Sequence, residues 1–332
     1  MFTILKSSFV LFALTLAASP ASQENLSRQI DVTPGGKLVV DVDFGGIEVA
    51  SGSDDKLVLE VHRSVDFNDE KKEKEYLAAA PITVSKEGNV VTVQARRRES
   101  WTNWTSGHSR MAASYTLQVP KKFDLNLHTS GGDIAAADIS GNLKANTSGG
   151  KLEFAHLEGA LTASTSGGSI KVESCQCPMQ IKTSGGDIFV VNVKGALLAR
   201  TSGGRIEVHN LSGDADVETS GGNLVFEKIA GRLIGKTSGG NIHTSISGEV
   251  AGEMHLRTSA GNIDLAVPEN AALDIVAETS VGRVSSNLPL VTSDSRREHV
   301  RGKLNGGGKS VTLQTSAGNI TITSASAEIA GR

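Results

Sequence analysis

Cysteine is almost missing from this chain: its 332 residues include two, Cys175 and Cys177, one residue apart. Two thiols cannot build a disulfide framework, and a zinc site would need two more ligands where no His pair flanks them. For the pair itself, free thiols, a local disulfide strained by so short a loop, and a metal or redox role all stay open. Rings are scarce as well, with 4% aromatic residues and both tryptophans, Trp101 and Trp104, confined to one segment. A core so poor in rings must be narrow and filled by Ile, Leu, Val and Ala. Charge of either sign hardly dominates, 33 basic residues against 36 acidic ones, so no global field draws nucleic acid or an anionic membrane. No run of about 20 apolar residues exists, and no membrane span is expected.

The one sizeable apolar run, Ser7 to Ala18, follows Lys6 and precedes Ser19-Pro20-Ala21. That order of basic, apolar and small residues reads as a secretory signal peptide over residues 1–21, cleaved after Ala21. The product is expected to be exported: periplasmic, cell-envelope-associated or secreted.

What the sequence has in abundance is glycine, 37 residues, much of it in one repeated tetrapeptide. Thr-Ser-Gly-Gly begins at Thr129, Thr147, Thr165, Thr183, Thr201, Thr219 and Thr237, always 18 residues apart. Looser copies begin at Thr258, Thr279 and Thr315. A constant period with no insertion means that each copy adds the same increment of backbone, as in a stacked, quasi-one-dimensional fold.

Aligned on the Thr, each copy reads as two short strands. Five residues after it stand Ile134, Leu152, Ile170, Ile188, Ile206, Leu224 and Ile242, and two further on Ala136, Phe154, Val172, Val190, Val208 and Phe226. Four before it are Leu125, Leu143, Leu161, Met179, Leu197, Ala215 and Leu233, and two before it Leu127, Ala145, Ala163, Ile181, Ala199 and Val217. Offsets that differ by two place alternate side chains of a strand on one face, whereas a helix would need three and four. The same alternation turns the Thr inward, where its hydroxyl must bond another Thr or turn backbone. The glycine pairs Gly131 and Gly132, Gly149 and Gly150, Gly167 and Gly168, Gly185 and Gly186, Gly203 and Gly204, Gly221 and Gly222, and Gly239 and Gly240 are read as tight corners, where positive φ lets the backbone turn sharply while neighbouring rungs approach closely. The fold class is therefore all-β, a single-stranded β-solenoid with 18-residue rungs; ten such rungs at ~4.8 Å make a rod of roughly 50 Å. A propeller blade needs about 40 residues and is excluded.

The division of the chain follows. After the signal peptide, residues 22–120 form an N-terminal β-rich cap, in which Gly45-Gly46-Ile47-Glu48-Val49 is a degraded rung and Asp69 to Leu77 a short helix. Residues 121–325 are the solenoid, with Ser293 to Lys309 a polar loop or hairpin and Ser310 to Ser324 the closing rung. Residues 326–332 are a tail. Such a rod needs atypical ends, because bare strand edges recruit other chains.

Candidate chemistry is thin. The residue after each glycine pair, Asp133, Lys151, Ser169, Asp187, Arg205, Asn223 and Asn241, is too mixed for a calcium ladder. The residues before the Thr, Lys182, Arg200, Glu218, Lys236, Arg257 and Glu278, alternate in sign and read as ion pairs on a solvated face. No nucleophile has a positioned base, so no catalytic residue, metal or cofactor is assigned and no enzyme is expected. The best partner contact is Trp101 and Trp104 beside Arg96, Arg97 and Arg98, since Trp and Arg dominate binding energy; the same rings could instead close the end of the lumen.

The Gly-Gly-Ile-Glu-Val strand, the lead-in Leu117-Gln118-Val119-Pro120 and the repeated Thr-Ser-Gly-Gly-x-Ile resemble the bacterial putative-adhesin family of β-solenoid domains, a domain of unknown function, over residues 35 to 323. The resemblance implies a β-solenoid without catalytic residues to carry over. The expected function is that of an exported, non-enzymatic adhesin or cell-envelope scaffold whose partner is an envelope protein or glycan. The alternatives are a β-helix carbohydrate-active enzyme, lyase or hydrolase, which requires convergent carboxylates, and a self-assembling structural solenoid, which requires uncapped ends.

Overall fold

A computed structural model describes residues 22–67, 69–96, 110–247 and 250–325. The predicted signal-peptide segment 1–21, Arg97, Arg98, Trp101, Trp104 and the predicted tail 326–332 lie outside the described residues. The chain opens with β1 (Ser22–Asp31), β2 (Gly36–Val42), β3 (Gly46–Ser51) and β4 (Lys56–Asp66). Helix α1 (Glu70–Ala79), β5 (Thr83–Glu87), β6 (Val90–Ala95) and β7 (Arg110–Val119) follow. From β8 (Phe123–Thr129) and β9 (Ile134–Ala137), strands alternate between two sheets through β10 to β21 (143–245), to β22 (Met254–Ala260) and β23 (Ile263–Val267). The last elements are β24 (Leu273–Val281), β25 (Val284–Ser286), β26 (Val291–Ser295), β27 (His299–Leu304), β28 (Lys309–Ala317) and β29 (Ile320–Ser324).

Among the described residues one sheet has 14 strands and the other 15, and within the stack neighbours run parallel in register: Ile170 lies beside Ile188, and Ile188 beside Ile206. The four aliphatic columns face one another between the sheets, and their members are almost completely buried. Twelve rungs are stacked among the described residues, two more than the repeat count implies, for a length of roughly 55 Å. Two of them come from the N-terminal segment, where β2 and β3 sit directly against β8 and β9, and β6 and β7 lie outside them.

The stacked threonines are 0 to 6% exposed, and they bond turn backbone rather than one another. Thr183 Oγ1 donates to the Gly168 carbonyl of the preceding rung at 2.8 Å and accepts from its own rung's Gly186 amide at 3.2 Å. Each hydroxyl thus ties two rungs and one corner together.

The expected positive φ is absent from the glycine pairs. Left-handed backbone belongs to the other corner, where Gly195 has φ 136° and the ninth residue after each Thr from Thr129 to Thr219, Asp138, His156, Ser174, Asn192, Asn210 and Lys228, has φ of 52 to 60°. The glycine pair serves the other expected demand, close approach of rungs: a Cβ on Gly186 would stand 1.9 Å from the Gly168 carbonyl oxygen.

The mixed column after the glycine pairs has a structural role in the ladder. Asn241 Oδ1 accepts the Asn262 amide, Asn262 Oδ1 the Asn319 amide and Asn319 Oδ1 the Arg283 amide, at 2.8, 2.8 and 3.0 Å. This sequence of bonds also shows the order of the last rungs. Residues Ser310 to Ser324 do not close the stack; β28 and β29 enter between β22–β23 and β24–β25. The polar stretch after β25 forms the antiparallel hairpin of β26 and β27, and β27 pairs with β24. Its turn imitates a further rung. Thr279 N donates to the Glu298 carbonyl and Val284 N to the Arg297 carbonyl, both at 2.9 Å, matching the bonds Thr183 and Ile188 send to Arg200 and Arg205.

One inward position breaks the apolar pattern. Thr244 is fully buried between Phe226 and Leu265, and its hydroxyl has no hydrogen-bond partner among the described residues. Thr244→Val keeps the shape and removes a desolvated hydroxyl, so thermal or denaturant unfolding should show stability raised by about 1 kcal/mol.

Candidate functional site

Outward side chains along the middle of the rod mostly answer one another. Arg200 Nε lies 3.5 Å from Glu218 Oε2 across adjacent rungs, with both side chains about half exposed, so the pair contributes roughly 0.2–1 kcal/mol. Chemistry concentrates where the repeat is interrupted, at the two ends.

At the N-terminal end, Arg96 is the described member of the predicted contact group. Its Nη2 is 2.5 Å from Asp41 Oδ1, which lays the guanidinium along the outer face of β2. The described strands on either side of the predicted Trp and Arg segment, β6 and β7, form the first parallel rung, with β5 paired outside β6 and β4 and β1 outside β7.

At the C-terminal end, insertion of β28 and addition of β27 bring together residues far apart in sequence. Arg257, Gln314, Glu278 and His299 stand in register on four neighbouring strands. Glu278 is therefore not next to Arg257, as the repeat spacing implies; Gln314 separates them and donates from Nε2 to Glu278 Oε2 at 3.3 Å. His299 Nδ1 is 3.3 Å from Glu278 Oε1, and its Nε2 is 3.8 Å from Asp294 Oδ2. Arg257, Gln314, Glu278 and His299, with Glu298, Ser280 and Ser316, line a recess of about 410 Å³. Its carboxylates, amide, imidazole and hydroxyls offer donors and acceptors to a hydrated, hydroxyl-rich ligand and little apolar surface to an acyl chain. Sequence reading missed His299 and Gln314 as members because their strand order is not encoded in the 18-residue offset. The shared outward position one residue before Thr315 was the available signal for Gln314.

Cys175 and Cys177 are free thiols, both buried at the second corner. The hydrogen bond with the Cys175 sulfur and burial push the Cys177 thiol well above its usual range. Among the described residues, no group of three or more His, Cys, Asp or Glu is arranged to hold a metal.

The two long parallel sheets, the inter-rung Thr and Asx ladders and the terminal hairpins together define a capped β-solenoid. The Toastrack DUF4097 family model matches residues 36–323, and the chain belongs to that family. No curated protein matches it. Among solved structures it is similar to a "putative adhesin" from Bacteroides fragilis, with 12% identity over 92% of this chain and 100% of that one, TM-score 0.32. A "putative cell adhesion protein" from Clostridium sporogenes shares 12% identity over 91% and 100%, TM-score 0.20. A "putative lipid binding protein" from Parabacteroides distasonis shares 12% identity over 89% and 96%, TM-score 0.33. No helix among the described residues is long and apolar enough to cross a membrane.

Proposed function

We propose that this protein is an exported, non-enzymatic adhesion or cell-envelope scaffold: a rigid rod that meets an envelope protein or glycan through its non-repetitive N-terminal end. Residues 1–21 act as the signal peptide, residues 22–120 as cap and first rungs, and the contact is made by Trp101 and Trp104 beside Arg96, Arg97 and Arg98. The observation that carries this reading is the capping of both ends. At one end β4 runs antiparallel to β7, and at the other β27 runs antiparallel to β24, so the stack has finite length. That favours a spacer with a terminal contact over a self-assembling filament. The polar recess around Glu278 and His299 is a second place where a glycan could be held.

The test is recovery of partners from the envelope fraction of the source cells by the tagged mature protein and by the double variant Trp101→Ala, Trp104→Ala. The contact reading expects a variant with unchanged melting temperature that no longer retrieves the partner. Loss of roughly 3 kcal/mol of stability instead would place the rings in the lumen. A stable variant that retrieves the same partners overturns the proposed contact, and cleavage of an envelope polysaccharide by the parent overturns the non-enzymatic reading.

A further inference from the structure

Helix α1 carries four acids at its start and along its length, Asp69, Glu70, Glu73 and Glu75. Three of them face solvent and are matched by lysines one turn away: Lys72 lies 3.6 Å from Asp69, Lys74 2.5 Å from Glu70 and Lys71 4.0 Å from Glu75. Glu73 is the exception. It turns inward, is 4% exposed, and has no cationic side chain within ion-pair distance among the described residues. Burying a carboxylate without a cation is costly unless hydrogen bonds and charge compensate it.

What faces Glu73 is the beginning of β1. Oε2 accepts from the Ser22 nitrogen at 3.1 Å and from Ser22 Oγ at 2.8 Å, while Oε1 accepts from the Phe67 amide at 2.9 Å. The Phe67 bond, followed by those from Ser22, holds the Glu73 carboxyl below the usual carboxylate range, so it is an anion at neutral pH. Ser22 is also the residue that follows Ala21 in the small-residue motif Ser19-Pro20-Ala21. Two independent observations, a cleavage motif in sequence and a buried anion in space, meet at the same nitrogen.

We propose that the peptide bond between Ala21 and Ser22 is the processing site and that Glu73 is the receptor for the new N-terminus. A signal peptidase hydrolyses that bond with water. The carboxylate stays on Ala21 of the departing leader, and the nitrogen of Ser22 takes up protons to become an α-ammonium. A neutral amide donor with one hydrogen is thereby replaced, at the same position, by a cation with three, and Glu73 acquires the missing counter-charge. The consequence reaches the cap. β1 pairs with β4 over ten residues, from Ser22 beside Val65 to Asp31 beside Lys56, and covers what would otherwise be the open edge of β4. Bare edges are where sheets recruit foreign strands. Removal of the leader then fastens the strand that closes the edge, so the cap reaches full stability only in the mature protein.

This inference rests on the signal-peptide reading, and its test separates the two. N-terminal sequencing of the exported protein locates the terminus; a start at Ser22 is expected, and any other start overturns the proposal together with the leader boundary. Four full-length mature proteins are then compared: one starting at Ser22, one retaining Ala21, and the Glu73→Gln form of each. With Glu73 present, the Ser22 start should melt about 2 °C or more above the Ala21 start and exchange its β1 amide hydrogens several-fold more slowly. Between the two Glu73→Gln forms the difference should vanish, because a neutral side-chain amide gives the ammonium no counter-charge. If Glu73→Gln fails to fold, Nα-acetylation of the Ser22 start serves instead and should speed β1 exchange to the level of the Ala21 form. Equal β1 exchange in the Ser22, Ala21 and acetylated forms overturns the ion pair while leaving the leader in place.

Discussion

Gly186→Ala is expected to destabilise the protein by about 3 kcal/mol, while Gly185→Ala, one residue earlier, changes stability by less than about 0.5 kcal/mol. At Gly186 an added Cβ would lie 1.9 Å from the Gly168 carbonyl oxygen, 2.4 Å from its carbon and 2.7 Å from the Ser169 nitrogen. All three are backbone atoms of the neighbouring rung, and the same carbonyl accepts the Thr183 hydroxyl. The rung cannot back away without lengthening that bond and the ladder bonds beside it, so overpacking falls at the severe end of its range. At Gly185 the nearest atom would be the Ser166 carbonyl oxygen at 3.7 Å, an ordinary contact. Denaturant midpoints of the two variants check this directly. Equal costs at the two positions would mean that conformational freedom, not approach between rungs, is what the glycine pair supplies. A bulkier, β-branched replacement of Gly186 adds nothing qualitatively new, because the first carbon already fails to fit.

Phe226→Ala is the second large effect, a loss of about 3–5 kcal/mol from a fully buried ring. Its setting allows a sharper test than size alone. A Cβ built on Gly235 would come 2.9 Å from Phe226 Cε2 and 3.0 Å from Leu256 Cδ2. The glycine thus stands where most rungs have Ala, Ile, Val or Leu because the ring of the preceding rung occupies that space. Gly235→Ala by itself should cost about 1–2 kcal/mol. Introduced together with Phe226→Leu, which vacates part of the volume, it should cost less than the sum of the two single changes by at least about 1 kcal/mol. A double-mutant cycle reads that coupling; strict additivity would show that the two sheets do not interlock at this level.

The columns from which these positions were chosen are visible without any structure. Inward positions repeat at the same offsets because parallel, in-register stacking copies one rung onto the next, and Thr183, Ile188 and Val190 were legible as buried from period alone. Which of two demands the glycine pair meets, positive φ or close approach, was not, since a crowded glycine and a left-handed glycine leave the same letter in the sequence. His299 and Gln314 could not be joined to Arg257 and Glu278 either, because their proximity depends on which strands become neighbours at the end of the stack.

The sequence by itself determined the all-β class, the 18-residue rung, its inward columns and the inward turn of each Thr. These follow from an alternation of period two repeated at constant spacing, and every rung reports the same answer. Only the tertiary structure decided the order of the terminal rungs, with β6–β7 placed outside β2–β3 and β28–β29 placed inside β24–β25. A parallel strand edge accepts any strand of matching register, and sequence distance does not limit the choice once a chain segment is long enough to return. The ends are therefore where long-range pairing overrides chain order, and where the recess around Glu278 and the seat of Ser22 on Glu73 arise.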